Sequence, residues 1–169
     1  MFNIGDQIIY SAHGICRIDD ICEETVSGVT KTYYKLHPLE NSQRVTISTP
    51  IDNDKVLMLD LLDKEEATEL LETFSEPGIE WNDNANARQN LFSSIIAAGD
   101  RKEIAKVVNT LMRKKMEVQL EGRNLYERDH KVLNFTQSIL FKELALSLDT
   151  NFEDINNQAL HFIREKALH

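Results

Sequence analysis

The chain has 169 residues, of which 41% are hydrophobic and 28% charged, and its formal net charge is −9 at pH 7. This length fits one large domain or two small ones, and the apolar fraction predicts folded cores rather than a disordered chain. The acidic balance argues against a protein that binds nucleic acid through bulk charge alone. No apolar window of about 18 residues and no secretory signal is found, which predicts a cytoplasmic protein without a membrane association.

Residues 1–60 are predicted to form short β-strands. Segments at 7–10, 15–21, 31–36 and 44–48 are rich in β-forming residues and are separated by turns, and residues 26–29 carry a hairpin signal. Short strands at this spacing indicate a small antiparallel barrel of the SH3 or Tudor kind, with one sheet edge open to a partner.

One of these strands has a predicted two-sided pattern. In segment 15–21 the strand period of two assigns the side chains to two opposite faces. The first face is expected to carry Ile15, Arg17, Asp19 and Ile21, and the second Cys16, Ile18 and Asp20.

After Leu61 the apolar residues recur with the helical period. Helices are expected from Asp63, from about Asn84 to Ala98, from Asp100, over roughly 125–148, and from Thr150 to the C-terminus. The expected boundaries rest on capping and breaking residues, namely Asp63 with Glu66, Gly99, Asp100 with Glu103, Gly122, and Thr150 with Glu153. The fold class is therefore α+β with two domains: a β-barrel at 1–60, a short helix and linker at 61–83, and an all-α bundle at 84–169.

No catalytic or metal-binding constellation is found in the sequence. Nucleotide-binding, nucleophile-elbow and zinc-protease motifs are missing, and the five histidines are scattered without ligand spacing. Cys16 and Cys22 are too few for a disulfide framework and are interpreted as reduced thiols. We expect a protein that is not an enzyme, with no cofactor, no metal and no small-molecule substrate.

Two features suggest contact with nucleic acid. Between Arg101 and Lys131 nine basic residues stand against five acids, which makes this segment locally basic in an acidic chain. The single tryptophan, Trp81, lies in a polar, turn-like run close to this segment. It fits either a core plug for the linker or an exposed apolar wedge that enters a minor groove, and the sequence leaves both open.

The opening residues carry a family resemblance. MFNIGDQIIY at 1–10, followed by His13-Gly14, resembles the start of the CarD and CdnL transcription regulators and of the polymerase-interacting domain of the transcription-repair coupling factor. Tyr33-Tyr34 after the hairpin, Ala98-Gly99-Asp100 with the segment 103–114, and residues 142–146 also resemble the family pattern. The resemblance covers nearly the whole chain.

The resemblance implies a bacterial regulator of transcription with two partners. The N-terminal domain would bind the β subunit of RNA polymerase by pairing sheet edges, and the helical domain would contact promoter DNA upstream of the −10 element. A tryptophan wedge would then stabilise the open complex. The candidate polymerase-binding residues are Val26, Tyr33, Arg44, Thr46 and Ile47. The candidate DNA-binding residues are Trp81, Arg88, Arg101, Lys102, Lys106, Arg113 and Lys114, of which those from Arg101 onward are expected to contact phosphates.

The sequence departs from the family pattern in three places. Trp81 lies about one helical turn further from Gly99 than the family spacing implies. The run after it is Asn82-Asp83-Asn84-Ala85 rather than arginine and aromatic residues, and Glu24 occupies the position of a basic polymerase contact. These departures keep a second hypothesis open, a protein–protein adaptor that binds RNA polymerase without touching DNA.

Overall fold

A computed structural model describes residues 1–10, 14–39, 45–53 and 58–167. The chain divides into two compact units, Met1–Leu61 and Leu62–His169. The first is built from strands and the second from helices. The predicted α+β class, with a Tudor-like β domain followed by a helical part, is confirmed.

The sheet unit is a five-stranded antiparallel sheet with the strand order β4-β3-β2-β1-β5. Its strands are β1 Gln7–Tyr10, β2 Gly14–Val26, β3 Val29–Pro38, β4 Ile47–Pro50 and β5 Met58–Asp60. The side chains of Ile8, Cys16, Ile18 and Leu36 are fully buried and form an apolar core on one face.

The β2–β3 connection is the hairpin that the sequence predicts. Ser27 and Gly28 both have positive φ angles, 52° and 78°, as the tight turn between right-twisted strands requires. The predicted facing of side chains in β2 is wrong beyond Ile18. The register against β3 shifts between Ile18 and Asp20, so Asp19 is a bulge residue and Ile21 packs with the core face instead of the opposite one.

The last two strands differ most from the prediction. In the described residues the fourth strand begins at Ile47 and Thr46 precedes it; Arg44, where the predicted strand begins, lies outside the described residues. Strand β5 was not predicted, because three residues are too short to show an alternating pattern, and it pairs with β1.

The helical unit contains five α-helices and one short 3-10 turn among the described residues. They are α1 Lys64–Glu72, the 3-10 turn Thr73–Ser75, α2 Ala85–Ala98, α3 Arg101–Leu120, α4 Glu127–Ser147 and α5 Phe152–Ala167. Their common core includes fully buried Phe74, Val107, Leu111, Phe141 and Ile155.

Most predicted helix ends are confirmed. The Asp63 carboxylate accepts from the backbone N–H of Glu66, and the Glu66 side chain accepts from the backbone N–H of Asp63. The capping box is therefore complete. Gly99 ends α2 in the left-handed conformation, with φ of 76°. Asp100 caps α3 by accepting from the backbone N–H of Lys102.

Two caps differ in detail from the prediction. Glu103 pairs with Lys106 one turn along α3 rather than returning to the helix start. The last helix is capped by Asn151, whose side chain accepts from the Asp154 backbone N–H, and Thr150 instead donates its hydroxyl to the Asp154 carboxylate.

The segment expected to be an interdomain linker is packed into the helical unit. Ala67, Leu70, Leu71 and Phe74 are buried in the same core as α3, α4 and α5. Residues 62–83 therefore take part in the structure that presents the candidate site. Within the described ranges, no helix is long and apolar enough to cross a membrane.

Candidate nucleic-acid interface and sheet edge

Residues 76–81 run along the surface of α3, and we name them the α3 strap. The Asn109 side-chain amide donates to the Glu76 carbonyl over 2.9 Å, and the Ile79 N–H donates to the Thr110 hydroxyl over 2.7 Å. The two α3 side chains in these bonds, the donor Asn109 and the acceptor Thr110, are both buried. These bonds give the strap backbone the partners that it would otherwise find in water.

Glycine at position 78 is required by the close approach of this strap. A Cβ atom on Gly78 would lie 2.1 Å from the Thr110 hydroxyl and 3.0 Å from the Lys106 carbonyl oxygen. Arg113 closes the same region by donating to the carbonyls of Phe74 over 2.8 Å and of Glu76 over 3.2 Å. Burial lowers the pKa of Arg113. The strap is thus held at several points before the chain reaches Trp81.

Trp81, at the end of the strap, is half-buried and packs against the core of the helical unit. Two cations lie over its ring. The Arg88 guanidinium carbon is 4.3 Å from the ring centroid and the Lys114 ammonium is 5.0 Å from it, both within cation–π range. Trp81 is therefore neither a free wedge nor a fully buried plug. It is a supported indole with part of its surface open to solvent.

The predicted DNA contact Arg88 is a buried support in this structure. Its side chain is 3% exposed and forms a two-pronged ion pair with Asp129, which is 0% exposed, at 2.7 and 3.0 Å. The remaining nitrogen, Nη1, donates to the carbonyl of Asn82 over 2.7 Å. Because its guanidinium nitrogens are hydrogen-bonded and its charge is buried, Arg88 is not accessible to a phosphate. The prediction that Arg88 contacts DNA is corrected.

The other predicted basic residues divide into exposed and engaged groups. Lys102 and Lys106 are exposed on α3, although Lys106 lies 3.0 Å from Glu103. Arg101 is mostly covered and pairs with Glu143 at 2.7 Å, and Arg113 holds the strap as described. Lys114, one-quarter exposed, borders the Trp81 ring. The predicted stripe therefore provides two exposed lysines, of which Lys106 is paired with Glu103. It also provides Lys114 beside the indole, 3.5 Å from Glu117.

Glu143 is a buried acid that the sequence interpretation missed. It pairs with Arg101 and accepts from the Leu62 backbone N–H over 3.0 Å, so it fixes the start of the helical unit to α3 and α4. Burial raises the pKa of Glu143, and the hydrogen bond and charge of Arg101 act in the opposite direction.

The sequence contains a signal for the two buried acids, Asp129 and Glu143, in the spacing of the buried residues along α4. Asp129, Leu133, Thr136, Leu140 and Glu143 follow one another at intervals of three and four, and all five are buried. An acid at a core-facing position of a helix needs a cationic partner, because an unpaired buried charge is very unfavourable. That spacing would have indicated arginine partners for both acids.

In the sheet unit, β4 lies at one edge and pairs with β3. The Ile51 N–H donates to the Thr32 carbonyl over 3.1 Å. This bond shows which residues of β4 direct their backbone groups toward β3 and which direct them away. Because antiparallel pairs alternate, the backbone N–H of Ser48 points away from β3. Pro50 occupies the other outward position and has no N–H, so Ser48 carries the outward donor of this strand.

The predicted polymerase-binding residues fall in two places of the sheet unit. Ile47 lies in β4, Thr46 directly precedes it, and Tyr33 lies on β3 opposite Pro50. Val26 is at the tip of the β2–β3 hairpin and is 57% exposed. Four of the predicted residues are thus described, and the fifth, Arg44, lies outside the described residues.

In the described part of the chain, no group of three His, Cys, Asp or Glu side chains could hold a metal ion. Burial raises the pKa of Cys16 to about 11. This thiol belongs to the apolar core of the sheet unit.

Comparison with protein families gives two matches. Residues 2–60 match the CarD-like/TRCF RID domain, and residues 69–159 match the CarD C-terminal domain. Together with the β unit and the helical unit, these matches define a transcription regulator that interacts with RNA polymerase. The chain belongs to the CarD-like family of transcription regulators.

Proposed function

We propose that this protein binds the β subunit of RNA polymerase through the outer edge of β4 and contacts promoter DNA upstream of the −10 element through the helical unit, stabilising the open complex. The observation that supports the DNA contact is the partly exposed Trp81, supported by Arg88 and bordered by Lys114. The family membership supports the polymerase contact.

A supported indole suits a contact with partly melted DNA. Inserting an aromatic side chain at a base step costs a few kcal/mol of unstacking, which apolar contact and stacking offset. A side chain that is already held in place loses little conformational entropy on binding. Lys114 beside the ring, and Lys102 and Lys106 exposed on the same helix, are the cations that we propose to meet phosphates.

The polymerase contact is proposed to use the backbone of β4. Its outward Ser48 N–H offers the pairing that a strand of the partner needs. At a net charge of −9, the chain should bind DNA weakly by itself. Binding to the polymerase would raise the effective concentration of the helical unit at the promoter.

Replacing Trp81 tests this function. In a Trp81→Ala protein we expect polymerase binding to be retained and the open-complex lifetime, measured by competitor challenge, to fall about tenfold, within the range for loss of one aromatic stack. Trp81→Phe should keep part of the effect. Leu120→Ala is the matched control, because Leu120 is an apolar residue of the same unit that is 90% exposed.

The alternative function is an adaptor that binds polymerase without touching DNA. It is favoured by the engagement of Arg88, Arg101 and Arg113 in contacts within the helical unit. A Trp81→Ala protein that is folded, binds polymerase and leaves the open-complex lifetime unchanged would support the adaptor and contradict the DNA contact.

A further inference from the structure

We propose that Asp129 is a positioning residue for Trp81, which acts through Arg88 to hold the indole in the orientation that meets DNA. The inference rests on the proposed DNA contact of Trp81. It assigns a role to an acid on α4 that lies far from the tryptophan in sequence and is fully buried.

The first step is the fixing of Arg88 by Asp129. The carboxylate accepts from Arg88 Nε and Nη2 at 3.0 and 2.7 Å, and from the Gln89 side-chain amide at 2.6 Å. A planar guanidinium held along one edge by a carboxylate cannot rotate without breaking both bonds. Asp129 therefore sets the plane of the Arg88 side chain.

The second step is the fixing of Trp81 by Arg88. The free end of the guanidinium, Nη1, donates to the carbonyl of Asn82, the residue that follows the tryptophan, over 2.7 Å. The guanidinium carbon lies over the indole at 4.3 Å from its centroid. One side chain thus holds both the ring and the backbone next to it, and a lysine could not make all of these contacts.

A role in positioning can be separated from a role in stability. A buried ion pair contributes little net stability and can often be replaced by uncharged groups of similar size, whereas removal of one partner alone leaves an uncompensated charge. A paired, charge-free replacement should therefore keep the fold while removing the orientation of Trp81.

The test is the double variant Arg88→Met/Asp129→Asn in the full-length protein. Methionine keeps an apolar contact with the indole, and asparagine can still accept from Gln89. We expect a folded protein with unchanged polymerase binding and an open-complex lifetime about fivefold shorter, the upper end of what loss of one solvent-exposed cation–π contact predicts. Trp81 is the only tryptophan, so its fluorescence anisotropy should fall and its quenching by iodide should rise.

Three further variants complete the test. Arg88→Lys keeps the positive charge but loses the planar guanidinium that bonds Asp129 twice, so Trp81 should also become more mobile in this variant. Arg88→Lys serves as the probe if the double variant does not fold. Added to Trp81→Ala, the double change should cause no further loss of lifetime. Ile155→Val, a mild core truncation, should lower the melting temperature and leave the lifetime and Trp81 anisotropy unchanged.

The outcomes are distinguishable. Unchanged anisotropy, quenching and lifetime in a folded double variant would overturn the positioning role, as would the same result for Arg88→Lys. A further loss of lifetime in the Trp81→Ala background would also overturn it, because Asp129 would then act by another route. An unchanged lifetime in Trp81→Ala alone would refute the proposed DNA contact, while the fluorescence measurements would still report whether Asp129 orients the indole.

Discussion

Both units of this chain carry ion pairs on their surface, and the helical unit also carries a buried one. In the sheet unit, the Lys35–Glu24 pair is on the surface, with side chains 23% and 38% exposed. In the helical unit, Arg88–Asp129 is almost completely buried. The sheet unit is held by an apolar core and backbone pairing, whereas the helical unit also uses buried charges to fix particular side chains.

This difference bears on how each unit recognises a partner. A sheet edge binds through its backbone, so its affinity tolerates many side-chain changes. A supported indole binds through one side chain, so its affinity depends on the residues that hold it. We therefore expect the polymerase contact to respond to changes of backbone hydrogen bonding and the DNA contact to respond to changes in the buried pairs.

The largest expected effect is that of Asp129→Ala. This change leaves the Arg88 charge buried and unpaired, which should destabilise the helical unit by about 3–5 kcal/mol. The matched change in the sheet unit, Glu24→Ala, removes one partner of a solvated pair and should cause no measurable loss of stability. Hydrogen exchange resolved by residue would assign each loss to its unit.

Equal stability losses in Asp129→Ala and Glu24→Ala would contradict the comparison of the two units. The same would follow from an Asp129→Ala protein whose sheet unit loses protection as much as its helices do. Either result would mean that the buried pair is not a local feature of the helical unit.

A smaller effect is expected for Ser48→Pro at the sheet edge. Proline removes the outward N–H of β4, which points away from β3, its partner among the described strands. The fold should therefore persist while affinity for the polymerase β subunit falls about tenfold or more. Ser48→Ala is the control, because it removes only the hydroxyl that accepts from Lys35. Thr46→Pro, just before the strand, should have a weaker effect on the same co-purification assay.

Undiminished binding by a folded Ser48→Pro protein would place the polymerase contact elsewhere on the sheet unit. The hairpin tip with Val26 would be the next region to test, since its apolar side chain is exposed.

Local sequence signals were sufficient for most of the fold. The Asp63–Glu66 box, the Gly99 cap and the Ser27-Gly28 turn each depend on chemistry within a few residues, and each was predicted correctly. The bulge at Asp19 was not predictable in this way, because it is defined by the register against β3 rather than by β2 alone.

The candidate site was only partly predictable. Trp81 stood out as a single aromatic in a polar run, but its support comes from Asp129, 48 positions further along the chain. Arg88 is chemically suited to bind a phosphate. Only the packing of α4 against α2 shows that its charge is already paired. Long-range partners of this kind are decided by tertiary structure. The spacing of Asp129 and Glu143 along α4, in contrast, is visible in the sequence and indicates that both acids face the core.

The smallest expected effect concerns Glu143, the other buried acid of the helical unit. Burial raises its folded-state pKa above the ordinary value of 4.5, with a further upward contribution from Glu66, while Arg101 pulls the pKa down. The folded state therefore binds the proton more tightly than the unfolded state does. The stability from this group is complete below the unfolded pKa and is lost as pH rises through the folded pKa.

Glu143→Gln mimics the protonated carboxyl at every pH and tests this sign. The melting temperature of the variant, relative to the original protein, should improve as pH rises from about 4 to about 8. Ile155→Val, which introduces no titrating group, should give a difference that does not change with pH. A Glu143→Gln difference that worsens with rising pH would mean that pairing with Arg101 outweighs burial.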